Sequence, residues 1–201
     1  KGIAAIQDET ISIRNFTSDI LGGNISLSGN VSTKTPTPTF AMNLALNKID
    51  IDQSFEKMEM LQFLAPIAKA LDGHLDTTFE LKGNLTQDFT PDLKSLAGNA
   101  MAKILTAEVN PDQAPILSAL GNKVSFLNLN QLSLQNLTTH LTFDNGNIAV
   151  KPFHFNVKDI AVNVEGSHGL DKSMNYKVNL DVPAKYLGNE VTRLLKDLSK
   201  E

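Results

Sequence analysis

The four histidines of this chain are the first residues to weigh for chemistry: His74, His140, His154 and His168. No pair of them has the one-turn helical spacing that places two imidazoles on one metal ion. His154 stands between Phe153 and Phe155. In a strand it points to the face opposite both rings. Ser167-His168 adjacency does not make a nucleophile pair, because a catalytic triad converges in space from separate segments. Asp50, Asp52 and Glu56 could gather a cation, or Asp52 could cap a helix that starts after an exposed strand end. Gly121-Asn122 lacks the remainder of a phosphate-binding loop. Five Asn-x-Ser/Thr sequons, at Asn15, Asn24, Asn30, Asn84 and Asn136, follow from strands rich in Asn, Ser and Thr. The residues therefore predict no catalytic group, no metal and no cofactor.

Composition excludes further classes. The chain has no cysteine, so disulfides and thiolate metal sites are absent. Its formal net charge is −4, and its 18 Lys and Arg are scattered, which argues against a nucleic-acid partner. The length of 201 residues suits one domain, and residues 1–201 are read as a single unit. No apolar run approaches the ~20 residues of a membrane span. The start at Lys1-Gly2-Ile3, without a leader, leads us to expect a soluble piece of a longer protein.

The elements that would position any site are strands. Alternation of apolar and polar residues recurs at Ile11/Ile13, at Ile25 to Val31, at Phe40 to Leu46, at Leu75 to Leu85 and at Ala100 to Ile104. It is clearest in the last third. Leu137 to Phe143 leads into Asp144-Asn145-Gly146, a hairpin signal, and Ile148 and Val150 follow. The apolar phase slips by one residue at Lys151-Pro152, which predicts a β-bulge or an edge position. Ile160 to Val164 and Met174 to Val182 complete an antiparallel meander. Three helices are predicted: Gln53 to Leu71, with Pro66 as a kink; Asn110-Pro111 to about Leu120; and Pro183 to about Ser199.

Glycines interrupt the strands at Gly29-Asn30, Gly83-Asn84 and Gly166-Ser167. Such glycines mark bends and close approaches, or simply strand ends. Bends on a common line would curl the sheet around its apolar face. The fold expectation is thus mostly β with a few helices, an α+β arrangement. A long antiparallel meander curls into a half-barrel groove, with about three helices packed on it or capping it.

Two stretches carry a family resemblance. Leu71 to Ala100 has Leu81-x-Gly83-Asn84-Leu85, Thr90-Pro91-Asp92-Leu93 and Leu96-x-Gly98. Phe143 to Pro183 has Gly146-x-Ile148, Lys151-Pro152-Phe153, Gly166, Gly169-Leu170-Asp171 and Tyr176. In these features the chain resembles the C-terminal region of the AsmA family, related to TamB and other bridge-like lipid-transfer proteins of the envelope. The resemblance implies a periplasmic segment of a Gram-negative protein anchored in the inner membrane. It implies a non-catalytic role in outer-membrane biogenesis, with phospholipid acyl chains bound or passed along an apolar β-groove. Residues expected to line that groove are Leu141, Phe143, Ile148, Val150, Val162, Val164, Val178 and Leu180. The competing expectation is a structural cap or scaffold that contacts envelope proteins and binds no lipid. The position of the 53–71 helix, inside or outside the curl, would separate the two.

Overall fold

Strict alternation over most of the chain leaves each strand one apolar side, and only strand pairing can satisfy the backbone while that side is buried. The computed structural model describes residues 1–57, 65–113, 132–171, 173–186 and 188. In it the strands are β1 (Ile3–Gln7), β2 (Thr10–Ile20), β3 (Gly23–Ser32), β4 (Thr39–Asp50), β5 (Leu71–Asn84), β6 (Ala97–Val109), β7 (Ser133–Asp144), β8 (Asn147–Val157), β9 (Ile160–Gly169) and β10 (Met174–Asp181). They form one ten-stranded sheet in sequence order. Every neighbouring pair is antiparallel. β1 and β10 do not pair, so the sheet is open.

The expected α+β class with about three helices is corrected. Among the described residues there is one α-helix, α1 (Ile51–Lys57). Its first turn is capped by Asp50, not Asp52: the Asp50 carboxylate accepts from the Gln53 backbone N–H at 2.8 Å. Residues 58–64 of the expected 53–71 helix lie outside the described residues. Pro66–Ala70 form a 3₁₀ turn, and Leu71 already begins β5. Pro66 has no N–H to continue an α-helix, and Leu71, Leu75 and Thr77 gain more by pairing with β6. Pro111–Gln113 and Ala184–Tyr186 are also 3₁₀ turns. The rest of the second expected helix, and all but Gly188 of the rest of the third, lie outside the described residues. No helix among the described residues is long and apolar enough to cross a membrane.

Four register shifts bend the sheet. They fall between Ile13 and Phe16, between Leu46 and Ile49, at the His74/Leu75 step opposite β6, and between Val150 and Phe153. Extra residues in one strand raise the local twist and bend it. Asn15 and Lys48, within two of these shifts, adopt left-handed φ values of 52° and 53°. The exposed N–H of Lys48 is taken up by the Asp76 carboxylate at 2.8 Å. The shift at Lys151-Pro152 is the one the phase slip predicts. It also sits where β8 leaves β7. These two strands pair only from Leu141–Asp144 to Asn147–Val150 and then part. Beyond the parting, Val109, Leu132 and Leu134 meet Val157, Ile160 and Val162 in one buried cluster. The sheet thus folds back on itself at the β7–β8 seam.

Glycines allow neighbouring strands to fit. Gly98 has φ +143°, and a Cβ there would fall on the Glu80 carbonyl oxygen. Gly98→Ala is therefore expected to destabilise the fold by about 1–3 kcal/mol, read as a lower urea midpoint with an unchanged slope.

The segment after β10 is tied to the β8–β9 turn. Lys185 Nζ lies 2.5 Å from the Asp159 carboxylate, and Tyr186 Oη donates to it at 2.7 Å. The Lys185 and then the Tyr186 hydrogen bonds hold the exposed Asp159 carboxyl below the usual aspartate range. A depressed carboxylate pKa stabilises this contact above the unfolded value of about 3.9, and the stabilisation is lost as pH falls through the lower folded value. The Tyr186 ring resonances should therefore shift toward free-tyrosine positions on acidification through that range. Asp159→Asn should show the shifted positions at neutral pH. Its melting temperature should barely change, since exposed ion pairs contribute little.

Candidate functional site: the apolar face of the sheet

Register brings the apolar residues of all strands to one side. One row crosses the whole sheet: Ala4, Ile13, Gly29, Met42, Leu81, Gly98, Phe143, Ile148, His168 and Met174. The next row runs from Phe16 through Leu27, Leu44, Phe79, Ala100, Leu141, Val150 and Gly166 to Tyr176. No Asp, Glu, Lys or Arg stands in either row. At about 4.8 Å per strand, the first row spans about 43 Å. The opposite face carries Asn43, Thr78, Glu80, Lys103, His140, Glu165 and Lys177, as an antiparallel sheet wetted on one side should.

All eight expected groove residues lie on this face, but they divide. Leu141 pairs with Val150 and Phe143 with Ile148. Val164 pairs with Val178 and Val162 with Leu180. Phe143 and Ile148 are buried with Phe40, Leu81, Leu85, Leu96 and Ala100, and Leu141 packs on that cluster. Val162 is buried at the β7–β8 fold, with Val164 and Leu180 against it. Val150 is half-buried, and Val178 is 39% exposed.

The two ends of the face differ in cover. The connection from β5 to β6 closes one end. Leu85 bridges to Pro91, Asp92 caps the turn Leu93–Ser95, and Leu85, Leu93 and Leu96 pack on Phe40 and Phe143. Ser95 Oγ accepts from the Asn84 N–H and donates to the Asp92 carbonyl, each at 2.7 Å. α1 covers the other end through Ile51 and Phe55, which pack with Ala107, Leu75 and Ile104. Between these ends Met42, Leu44, Phe79, Leu141 and Val150 are half-buried. Toward the first edge the face opens: Phe16 and Ile11 are exposed, and Ile6 is 79% exposed.

Polar groups on or near this face are few. His74, His140 and His154 are exposed, and His140 and His154 stand on the polar side. His168 is 4% exposed. Its Nδ1 shares a 2.8 Å hydrogen bond with Tyr176 Oη, and the two rings lie 6.2 Å apart at 17°. Burial pushes the Tyr176 phenol up. Gly166, the cross-strand partner of Tyr176, makes this arrangement possible: a Cβ there would stand 2.7 Å from the Tyr176 ring. Gly83 does the same for Phe40, whose ring would lie 3.3 Å from such a Cβ. The sequence left these glycines as bends, close approaches or strand ends; Gly83 stands one residue from the end of β5, under the Ser95 turn. The buried His168–Tyr176 pair was missed. Its sequence signal is a glycine two residues before a histidine, opposite a tyrosine across a short turn.

Asp50 is engaged at the helix cap, where it accepts from both Gln53 nitrogens. The described residues contain no cluster of His, Asp and Glu able to hold a metal ion. An open depression of about 700 Å³ at the β2–β3 turn is lined by Asp19, Asn24, Asn47, Lys48 and Asp76, and its Asp76 carboxylate already serves the β4 bulge. No protein-family model, curated protein or solved structure matches this chain.

Tyr176→Phe removes the hydroxyl that His168 Nδ1 bonds inside the sheet. It should destabilise the protein by about 1–3 kcal/mol, measured by denaturant unfolding, while near-ultraviolet circular dichroism shows the native packing retained.

Proposed function

We propose that this chain is a non-catalytic segment of an AsmA-like envelope protein that binds phospholipid acyl chains along the apolar face of its sheet. The observation that carries this reading is the row from Ala4 to Met174: ten strands in sequence order align one uncharged row about 43 Å long, buried at Leu81, Phe143, Ile148 and His168 and open toward the first edge. Hydrophobic burial is non-directional, so such a face needs no special residue. Each CH₂ moved from water onto it contributes about 0.8 kcal/mol. The uncovered approach at Ile6, Ile11 and Phe16 offers entry from the first edge. In this reading the parent protein is held at the inner membrane, and the segment works in the periplasm in support of outer-membrane biogenesis.

A second reading has its own observation. The end of the face at Phe143 and Ile148 is filled by the chain's own Leu85, Leu93 and Leu96. A face filled in this way suits a cap or scaffold that contacts other envelope proteins without lipid.

Native mass spectrometry of the purified chain, with extraction and identification of bound lipid, decides between them. Near-stoichiometric phospholipid supports binding; a stable, lipid-free chain supports the scaffold. Val178→Asp places a carboxylate on the exposed part of the face. It should abolish lipid retention while leaving the melting temperature close to wild type. Unchanged lipid retention would count against the face as the binding surface.

A further inference from the structure

β1 lacks the usual devices against further strand pairing. It is an edge strand, bonded to β2 alone among the described residues. All five of its residues are exposed, and it has no charge, no proline and no bulge. Edge strands usually carry one of these, because an open ladder recruits other strands. β10, at the opposite edge, carries Lys177 and Asp181. On β1, Ile3 and Ile6 stand open to water instead.

The free backbone groups can be placed. The Thr17 N–H donates to the Lys1 carbonyl at 2.6 Å. Lys1 therefore faces β2, and by the alternation of the ladder so do the backbone groups of Ile3, Ala5 and Gln7. The two-residue turn at Asp8-Glu9, with φ of 48° and 56°, agrees, because a hydrogen-bonded pair closes such a turn, here Gln7 and Thr10. The N–H and C=O groups of Ala4 and Ile6 then point away from the sheet. Their side chains stand on the apolar face, beside Ile13 and Ile11.

We propose that this edge pairs with the same edge of a second copy of the chain, antiparallel, about a two-fold axis at Ala5. Only residues whose backbone points outward can exchange hydrogen bonds, so Ala4 bonds the partner's Ile6, and Ile6 bonds the partner's Ala4. This is the register that aligns all five residues of β1. Charge fits it as well: the acidic Asp8-Glu9 turn of each copy comes beside Lys1 of the other. All three residues are exposed, and the ion pairs among the described residues, Lys177–Glu165 and Lys185–Asp159, use none of them. Any strand would find the open ladder, but a second copy also supplies the charge match. The two-fold closes the assembly at two chains, because pairing uses up both edges. Ile6 and the partner's Ile6 become diagonal neighbours, so the two apolar faces join on one side. The pairing does not depend on what that face binds.

The full 201-residue chain is followed by sedimentation velocity from about 1 μM to 1 mM, where an interface built on one short strand pair should half-associate. A monomer–dimer equilibrium without larger species is expected. Proline is tolerated on an edge strand where the N–H faces solvent. Ala4→Pro should therefore keep the melting temperature close to wild type and weaken the dimer at least about tenfold, since both copies lose a bond. The chain has no cysteine, so Ala5→Cys introduces a single thiol. Across the two-fold its Cα should stand about 4.5 Å from the same atom of the partner, within disulfide reach. Mild oxidation should link it quickly, and should link Asn43→Cys, exposed on the polar face of β4, far more slowly. A monomer at every concentration overturns the proposal. Species that grow beyond the dimer also overturn it, since the edge would then be stacking head to tail. A dimer that Ala4→Pro leaves intact, or equal linking of the two thiols, puts the contact on another surface and overturns it too. The acyl-chain reading stands in each case.

Discussion

Cross-strand register is the constraint on which this protein depends. Side chains alternate at every residue, so a slip of one position in any hairpin would turn a whole strand's apolar set to water. Ten consecutive strands keep Ile13, Met42, Leu81, Phe143 and Ile148 in a single row, and the polar set on the other side. Tight turns pin part of that register. Asn145 and Gly146, with φ of 48° and 83°, join β7 to β8 as a two-residue hairpin loop. Leu21 and Gly22, with φ of 53° and 73°, do the same between β2 and β3.

Register alone would give a twisted ribbon with one bare apolar side. The bulges change that. Where β8 slips at Lys151-Pro152 it also parts from β7, and the two halves of the sheet close on each other through Leu134, Val157 and Val162. Proline suits that spot because it has no N–H to offer the strand it leaves. The β5–β6 connection then plugs one end with three leucines, held by the Asp92 cap and the Ser95 hydroxyl. What remains half-buried lies between these closures and the first edge.

Much of this was legible in the residues. Period-2 alternation named nine of the ten strands, and the slip at Lys151-Pro152 named a bulge. β1 was missed because Ile3-Ala4-Ala5-Ile6 has two small residues where alternation would show. The 53–71 helix was overextended because its apolar spacing fits a helix locally, while Leu71 and Leu75 are claimed by pairing with β6. Asp52 was preferred over Asp50 as the cap because strand and helix meet without a spacer, and the chain alone does not show which residue turns first.

The sequence by itself determined the strand periodicity, the turn at Asn145-Gly146 and the separation of an apolar from a polar side. These are local properties, set by the side-chain period and the φ preferences of single residues. Tertiary structure decided the rest: a single open sheet, the fold at β7–β8, the leucine plug and the His168–Tyr176 bond. Each of these depends on which atoms of distant segments come within reach. That is fixed by the accumulated bend of the strands, a quantity no short stretch of sequence carries.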